Sequence, residues 1–521
     1  MRSRPKILSN MVRRLRLYAL ILAISAALAL NACAPVGPDF VKSDPESPPE
    51  WSQTAEQGIE ISRGDLVEWW RVFDDPVLDK LVETGRRNNN NLEIAGLRIL
   101  EARAQLGIAT GSLYPQSQFA AGEATWISPP DNSGVTSDYW FYGLGASASW
   151  EIDFWGRFRR GIESADAAYF ASIAAYDQAL VLLVASIVDS YAVIRTTEAR
   201  LLIAQQNLKI QQRSYDIAAV LYRNGAASEL DMQQAETLLL ATRATVPELE
   251  ATLRQARNAL STLLGQFPGS MEDVLAGSQG IPELPANIAV GFPADMLRRR
   301  PDVRQAELTA MSQNALVGLA EADLYPSFSL VGTIGLSSGG PGDSNFGDLF
   351  SSDALSLSIG PSFVWPFLNY GRIKNNIRVQ DARLQQALIA YRESVLQAAR
   401  EAEDAMAAFM GSREQASMLA ETVKSAERSN ELSTLRYQEG FSGYQRVLDA
   451  QRALFTQQQQ YVATQGSAVR NLVALYKSLG GGWENGDGLP YVDPDTLELM
   501  RERTDWGDML DTAYPAPEGE Q

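Results

Sequence analysis

The chain of 521 residues contains no histidine and one cysteine, Cys33. Without histidine it lacks the side chain most used as a general base near neutral pH and the commonest zinc ligand. With one cysteine it can form neither an intrachain disulfide nor a Cys-rich metal site. Positive charge is scarce: 45 Lys and Arg against 63 Asp and Glu leave a net charge of −18, which argues against a basic nucleic-acid surface. These gaps point away from an enzyme: no catalytic residues, no metal, no cofactor and no nucleic-acid partner are expected. Gly and Pro are missing from residues 162–224, a gap long enough for a helical rod of about 95 Å.

What is present begins with an address. Arg2, Arg4, Lys6, Arg13, Arg14 and Arg16 form a basic region, followed by the apolar run Leu17 to Leu30 and small residues. That is a secretory signal, too short to favour a lasting transmembrane helix. It ends in Leu30-Asn31-Ala32-Cys33, which resembles a bacterial lipobox. The resemblance implies that residues 1–32 are a lipoprotein signal peptide and that Cys33 is the first mature residue, its thiol carrying a covalent lipid. The alternative is an ordinary signal peptide with an incidental cysteine. Losing residues 1–32 removes six positive charges and leaves the mature chain near −24. Several acyl chains, at about 0.8 kcal/mol per buried CH₂, hold a protein at a bilayer. Ala34, rather than Asp, follows the cysteine, as lipoprotein rules associate with outer-membrane sorting. Residues 33–64, rich in Pro, Ser and Asp, read as an extended tether.

The rest of the chain says the same thing twice. Leu113-Tyr114-Pro115 returns as Leu324-Tyr325-Pro326, about 211 positions on. Past a variable loop the spacing becomes 215 and holds for Trp150/Trp365, Gly156-Arg157/Gly371-Arg372, Tyr222/Tyr437, Gly225/Gly440, Ala235/Ala450 and Leu264-Gly265/Leu479-Gly480. A spacing that survives so far marks duplicated architecture. The repeats span 65–268 and 301–482, with a linker at 269–300 and a segment 483–521 that ends in an acidic tail, read as disordered beyond Trp506. Each repeat reads as helix, strand pair, very long helix, glycine turn, helix.

In the first repeat Trp140, Tyr142, Leu144, Ala146, Ala148 and Trp150 alternate with Phe141, Gly143, Gly145, Ser147 and Ser149. In the second, Leu355, Leu357, Ile359, Phe363 and Trp365 alternate with Ser356, Ser358, Gly360, Ser362 and Val364. An apolar face with aromatic ends, backed by small polar residues, fits a transmembrane β-strand; on the strands alone a soluble sandwich fits equally. Strands are expected at about 115–127, 139–152, 326–338 and 353–367. The helices favour the membrane reading. Ile173, Tyr176, Leu180, Leu183, Ile187, Tyr191 and Ile194 share their spacing with Leu388, Tyr391, Val395, Ala398, Ala402, Met406 and Phe409, a narrow seam of the coiled-coil kind. Four strands cannot close a membrane barrel and eight is the practical minimum, so a membrane reading requires at least a dimer.

Together, Leu297-Arg298-Arg299-Arg300-Pro301-Asp302-Val303-Arg304, Trp365-Pro366 with Gly371-Arg372, and Tyr437-Gln438-Glu439-Gly440 followed by Val447-Leu448-Asp449-Ala450-Gln451 resemble the TolC-like outer-membrane factors, in particular the lipoprotein branch that serves RND-type multidrug efflux. The resemblance covers about residues 65–482. It implies an α+β membrane protein: a homotrimer whose 12-stranded transmembrane β-barrel, four strands per chain, continues into a long periplasmic α-helical coiled-coil barrel. Segments near 65–90, 270–300 and 483–510 would form an equatorial belt. The implied function is a passive exit duct in the outer membrane of a Gram-negative cell. It would carry drugs and other toxic small molecules from an inner-membrane pump and a periplasmic adaptor. Adaptor docking falls to the helix-reversal turns, Gly225, Ala226, Ala227 and Ser228, and Gly440, Phe441, Ser442 and Gly443. Asp231 and Asp449 match family aspartates at the periplasmic gate, where three copies of each would attract cations. Asp231 also suits a plain first-turn helix acid. Arg446 stands where some members carry aspartate, and is expected to pair with Asp449 or with a neighbouring subunit's Asp231. Tyr437 matches a family tyrosine of the closing network, and a tyrosine at a packed helix end is as often core.

Two other readings share these features. A structural envelope lipoprotein with a coiled-coil spacer explains Cys33 and the helices but leaves the aromatic-ended strands without a role. The same architecture also suits the outer-membrane channel of a protein-secretion system.

Overall fold

The computed structural model describes residues 35–42, 51–52, 59–61, 66–130, 137–269, 271, 273–277, 280–285, 288–291, 293–340, 345–483 and 490–510. The signal segment 1–32, Cys33 and the tail 511–521 lie outside them. In chain order the elements are β1 (Ile59–Ile61), α1 (Pro76–Asn88), α2 (Asn90–Gly111), β2 (Ser117–Ile127), β3 (Tyr139–Ile152), α3 (Arg157–Arg223) and α4 (Glu229–Leu263). They continue with β4 (Ile288–Val290), α5 (Pro293–Arg299), α6 (Pro301–Ala322), β5 (Ser327–Ser338), β6 (Leu355–Val364), α7 (Arg372–Gln438), α8 (Gln445–Ser478) and α9 (Pro494–Arg503). Helices α3 and α7 are each 67 residues long, about 100 Å of helix apiece.

The duplication is written in hydrogen bonds. Trp150 donates its indole N–H to the carbonyl of Leu113 at 2.9 Å, and Trp365 donates to Leu324 at 3.0 Å. The recurring Leu-Tyr-Pro and Trp are therefore the two halves of one clasp, made once per repeat. At the helix reversals, Gly225 and Gly440 have φ of 73° and 75°. Ala226 N–H reaches Leu221 at 2.8 Å, and Phe441 N–H reaches Arg436 at 2.8 Å. Both are Schellman-type stops, which need a left-handed residue after the helix.

The described residues divide into two compact units, one within 35–42, 101–171 and 306–391, the other within 51–100, 172–305 and 392–510. The first holds a four-stranded antiparallel sheet in the order β2-β3-β5-β6. The β3–β5 pairing joins the repeats, setting Ala146 opposite Ile334 and Leu144 opposite Leu336. Side chains alternate across the sheet. One face carries Trp126, Trp140, Leu144, Trp150, Leu330, Ile334, Leu357, Ile359 and Phe363, all exposed, with Leu357 at 73 % and Ile359 at 72 %. The other carries mostly Gly, Ser and Thr. β6 ends at Val364 rather than at 367, because Pro366 has no N–H to extend the ladder. At its other end, Ser352–Ala354 turns as a 3-10 helix.

The first unit also corrects part of the expected tether. Val36 N–H bonds to the carbonyl of Trp155 at 2.9 Å. The buried Arg160 donates to the carbonyls of Val36 and Gly37, each at 3.1 Å, and to Asp39 at 2.8 Å. Asn314 holds the carbonyl of Pro38 at 2.9 Å, and Lys42 pairs with Glu307 at 3.0 Å. Residues 36–42 are therefore a strap pinned to α3 and α6. Gly37 runs so close to Gly318 that neither position has room for a Cβ.

The second unit contains most of the long helices, the reversals and the segments around them. Between Leu180 and Ile194, α3 buries Val181, Val184, Ala185, Val188 and Ala192 in addition to its expected seam. The face is broad there, not narrow, because α1 lies across it with Gly85 against Ile187. Asp75, which caps α1 through Val77 N–H at 2.9 Å, also accepts from the Tyr191 hydroxyl. The most apolar window of α3 would suffice for a membrane span by length and composition, but 61 % of it is buried, as in a core helix. In α7 the seam is narrow as expected: Val395, Ala398, Ala402, Met406 and Phe409 are buried. β1 pairs in parallel with β4, a short sheet that joins the segment expected to be tether to the linker at 269–300. At the far end Trp506 and Leu510 pack on Leu100, Val492 and Met500, so the chain is ordered past Trp506, to Leu510.

The Arg-rich motif is explained by one residue. Arg300, 5 % exposed, donates to Asp302 at 3.0 and 2.7 Å, to Glu401 at 2.8 Å and to the carbonyl of Ser478 at 2.9 Å. Burial opposes its charge, but these acceptors more than offset that and hold the guanidinium above its ordinary range.

Candidate gate and docking turns

The reversal between α3 and α4 is exposed from Tyr222 to Ala226, with Ala227 half-buried and Ser228 exposed. No atom lies within 4 Å of a Cβ built on Gly225, Gly440 or Gly443. Phe441 is 73 % exposed, and Ser442 is half-buried. All eight docking candidates therefore lie on the two reversals, and a large apolar side chain stands in the open on one of them.

Asp231 closes a capping box. Its backbone N–H donates to Ser228 Oγ at 3.2 Å, and its carboxylate accepts from the Ser228 N–H at 3.2 Å. The reciprocal pattern satisfies donors that the first turn of α4 would otherwise leave orphaned. Asp231 thus has the structural role of a first-turn acid, but it is half-buried rather than free in solvent. It faces two phenols. Burial first, and then the charge of Asp231, push Tyr437 above its ordinary range. Tyr444 is raised by burial, with Tyr437 and Asp231 adding to the shift. The two rings lie 5.1 Å apart in an apolar cluster of Ala218, Ala235, Leu238, Val447 and Leu448. Tyr437 and Tyr444 form one aromatic pair, and the charge of Asp231 is near enough to bear on both.

Asp449 stands apart from it. It is exposed, accepts from Gln445 at 3.0 Å and lies 3.5 Å from Arg452. Arg452, not Arg446, is its ion-pair partner within the chain. Arg446 instead lines a groove of about 760 Å³ with Lys424, Arg428, Arg436 and Ser442.

One residue here, Tyr444, escaped the sequence, and Gln451 stands there only as the end of a motif. Tyr444 is buried and donates to the carbonyl of Ser214 at 2.9 Å, and Gln451 is buried and donates to Ser214 Oγ at 2.8 Å. They tie the start of α8 to α3. No spacing singles them out, since neither belongs to a recurring pair.

A sheet with an exposed apolar face and two unpaired edges, helices of about 100 Å and an acidic, tyrosine-backed tip define an outer-membrane conduit. The chain belongs to the outer membrane efflux protein family, whose model matches residues 81–266 and 292–481. It is 31% identical over 460 residues to nodulation protein T of Rhizobium leguminosarum bv. trifolii, covering 87% of this chain and 94% of that protein. It is 29% identical over 465 residues to the cation efflux system protein CusC of Escherichia coli O6:H1, covering 89% and 99%. Among solved structures, the outer-membrane channel OprN superposes with a TM-score of 0.80 at 32% identity, over 86% of this chain and 99% of that one.

Proposed function

We propose that this chain is the outer-membrane exit duct of a tripartite efflux system, taking small toxic molecules from an inner-membrane pump through a periplasmic adaptor. The observation that carries the reading is the sheet. Its apolar residues face outward, and β2 and β6 end the strand order. Such edges are untenable in lipid. Three copies in a ring close them, each β6 meeting the next β2, into a 12-stranded barrel. Each copy anchors itself through lipid on Cys33. The strap that begins three residues later, at Val36, supports that role.

The chain works without chemistry of its own: its family is one of channel proteins, and conduction needs only a wet lumen and a gate. Asp231 and Asp449, one set from each of three copies, form the cation-attracting constriction, with Tyr437 beside Asp231. Arg446 and the basic groove around it face a neighbouring copy. The exposed reversals, Gly225 to Ser228 and Gly440 to Gly443, are the adaptor's docking points, with Phe441 as an apolar anchor.

The competing reading, a lipid-tethered spacer, is separated by Cys33→Ser. A closed barrel keeps the protein in the membrane fraction after an alkaline carbonate wash. Release of the variant into the wash would favour the spacer and overturn the duct.

A further inference from the structure

We infer that Glu123 sets the charge preference of the strand-lined part of the conduit. Within β2, β3, β5 and β6 the only carboxylates are Glu123 and Glu151. Glu151 lies near the end of β3, 3.9 Å from Arg157. Glu123 lies in the middle of β2, and among the described residues no ion pair neutralises it. By alternation it belongs to the small polar face, with Ser147, Ser149, Thr333 and Ser358, not to the apolar one. A carboxylate on the lipid side would be expensive, so its presence there agrees with a wet face.

Its surroundings are built to leave the charge bare. Glu123 is opposite Gly143 in the ladder, and Gly145 is opposite Gly335 one step along the same face. A Cβ on Gly143 would come within 3.1 Å of both Cγ and Oε1 of Glu123. Glycine at 143 leaves the side chain room to lie across β3, and the glycine floor offers no donor side chain to neutralise the carboxylate.

The inference rests on the three-fold closure proposed above, which repeats the carboxylate three times at one level. Twelve strands about 4.8 Å apart, tilted about 40°, give a backbone cylinder about 24 Å across. Carboxylates lying along the wall then stand roughly 9 Å from the axis. Three unit charges at that distance in water, screened over about 10 Å, enrich monovalent cations at the axis about two- to threefold and deplete anions as much. The effect is local and in series with the gate, so conduction alone would blur it.

The test is therefore a local one. Thr125→Cys places a thiol on the same face, one alternation from Glu123. Its rates of modification by a cationic and an anionic methanethiosulfonate reagent are compared in proteoliposomes, with the parent chain as background. Adding Glu123→Gln should lower the cationic-to-anionic rate ratio about four- to ninefold, while Glu123→Asp should retain most of it. Trimers on an unheated gel confirm folding of each variant. An unchanged ratio in a trimeric Glu123→Gln protein would overturn the role of Glu123 and leave the closure intact. A thiol that neither reagent reaches would overturn the role of Glu123 as well, by putting this face away from water. Absence of trimers in the parent protein would overturn the closure itself, and the inference with it.

Discussion

Replacing Arg300 tests whether its buried network holds the second unit together. Arg300→Met keeps most of the stem volume and removes every donor of the guanidinium. The carbonyl of the buried Ser478 loses its partner, at a cost of about 1–3 kcal/mol. Glu401 and Asp302 lose charge-assisted bonds of about 1.5–3 kcal/mol each. Their side chains keep 44 % and 30 % of their exposure, so water recovers much of that and the charges are not stranded. The sum is about 3 kcal/mol, near the lower end of what removing one partner of a buried pair costs. Urea unfolding of the detergent-purified protein, followed by far-UV circular dichroism at fixed protein concentration, reads the loss as a lower midpoint at unchanged slope. Arg300→Lys should lose roughly half as much, since one ammonium cannot reproduce the bidentate bond to Asp302. Glu401→Gln in the Arg300→Met background should cost less than in the parent, because the two residues share a bond. A loss below about 1 kcal/mol for Arg300→Met, or strict additivity with Glu401→Gln, would refute the assignment of a cooperative network.

Three further outcomes are expected. Gly440→Ala should destabilise the reversal by about 1–2 kcal/mol from backbone strain alone, since open space surrounds the site, and Gly440→Asn should cost less; equal melting temperatures for all three proteins would contradict this. Converting Asp231 and Asp449 together to Ala should weaken block of single-channel current by a trivalent cation about tenfold or more, as expected of a carboxylate ring, and unchanged block would remove the constriction from these residues. Burial raises the pKa of Asp177 to about 7, partly opposed by Arg304. Such an acid holds its proton longer in the folded state, so stability falls as pH rises from about 4 to 7 and is level above. Asp177→Asn should therefore gain stability over the parent across that window and keep a constant advantage at higher pH, and parallel pH profiles would refute the burial of this carboxyl.

The duplication was legible because its signals are chemical rather than statistical. A left-handed turn demands glycine, so Gly225 and Gly440 recur. An indole that clasps a strand to its preceding helix recurs as Trp150 and Trp365. Period-two alternation gave the strands, and the missing glycine and proline gave the long helix. Pieces that depend on distant partners were not legible. Nothing in three consecutive arginines says that Arg300 alone is buried, because Glu401 and Ser478 are 101 and 178 positions away. The strap at residues 36–42 carries no period, and its order comes from Arg160 and Asn314. The broad face of α3 between Leu180 and Ile194 reflects α1 lying across it, which the helix's own seam does not announce. At the tip, Arg446 and Arg452 both stand three residues from Asp449, so spacing alone did not say that Arg452 makes the 3.5 Å pair while Arg446 lines the groove with Arg428 and Arg436.

The most direct test of the central claim is single-particle electron microscopy of the mature protein purified in detergent. The account predicts three-fold end views with a central opening, three copies of this chain sharing one closed ring of strands. Particles containing a single copy, with the four-stranded sheet left open, would contradict it.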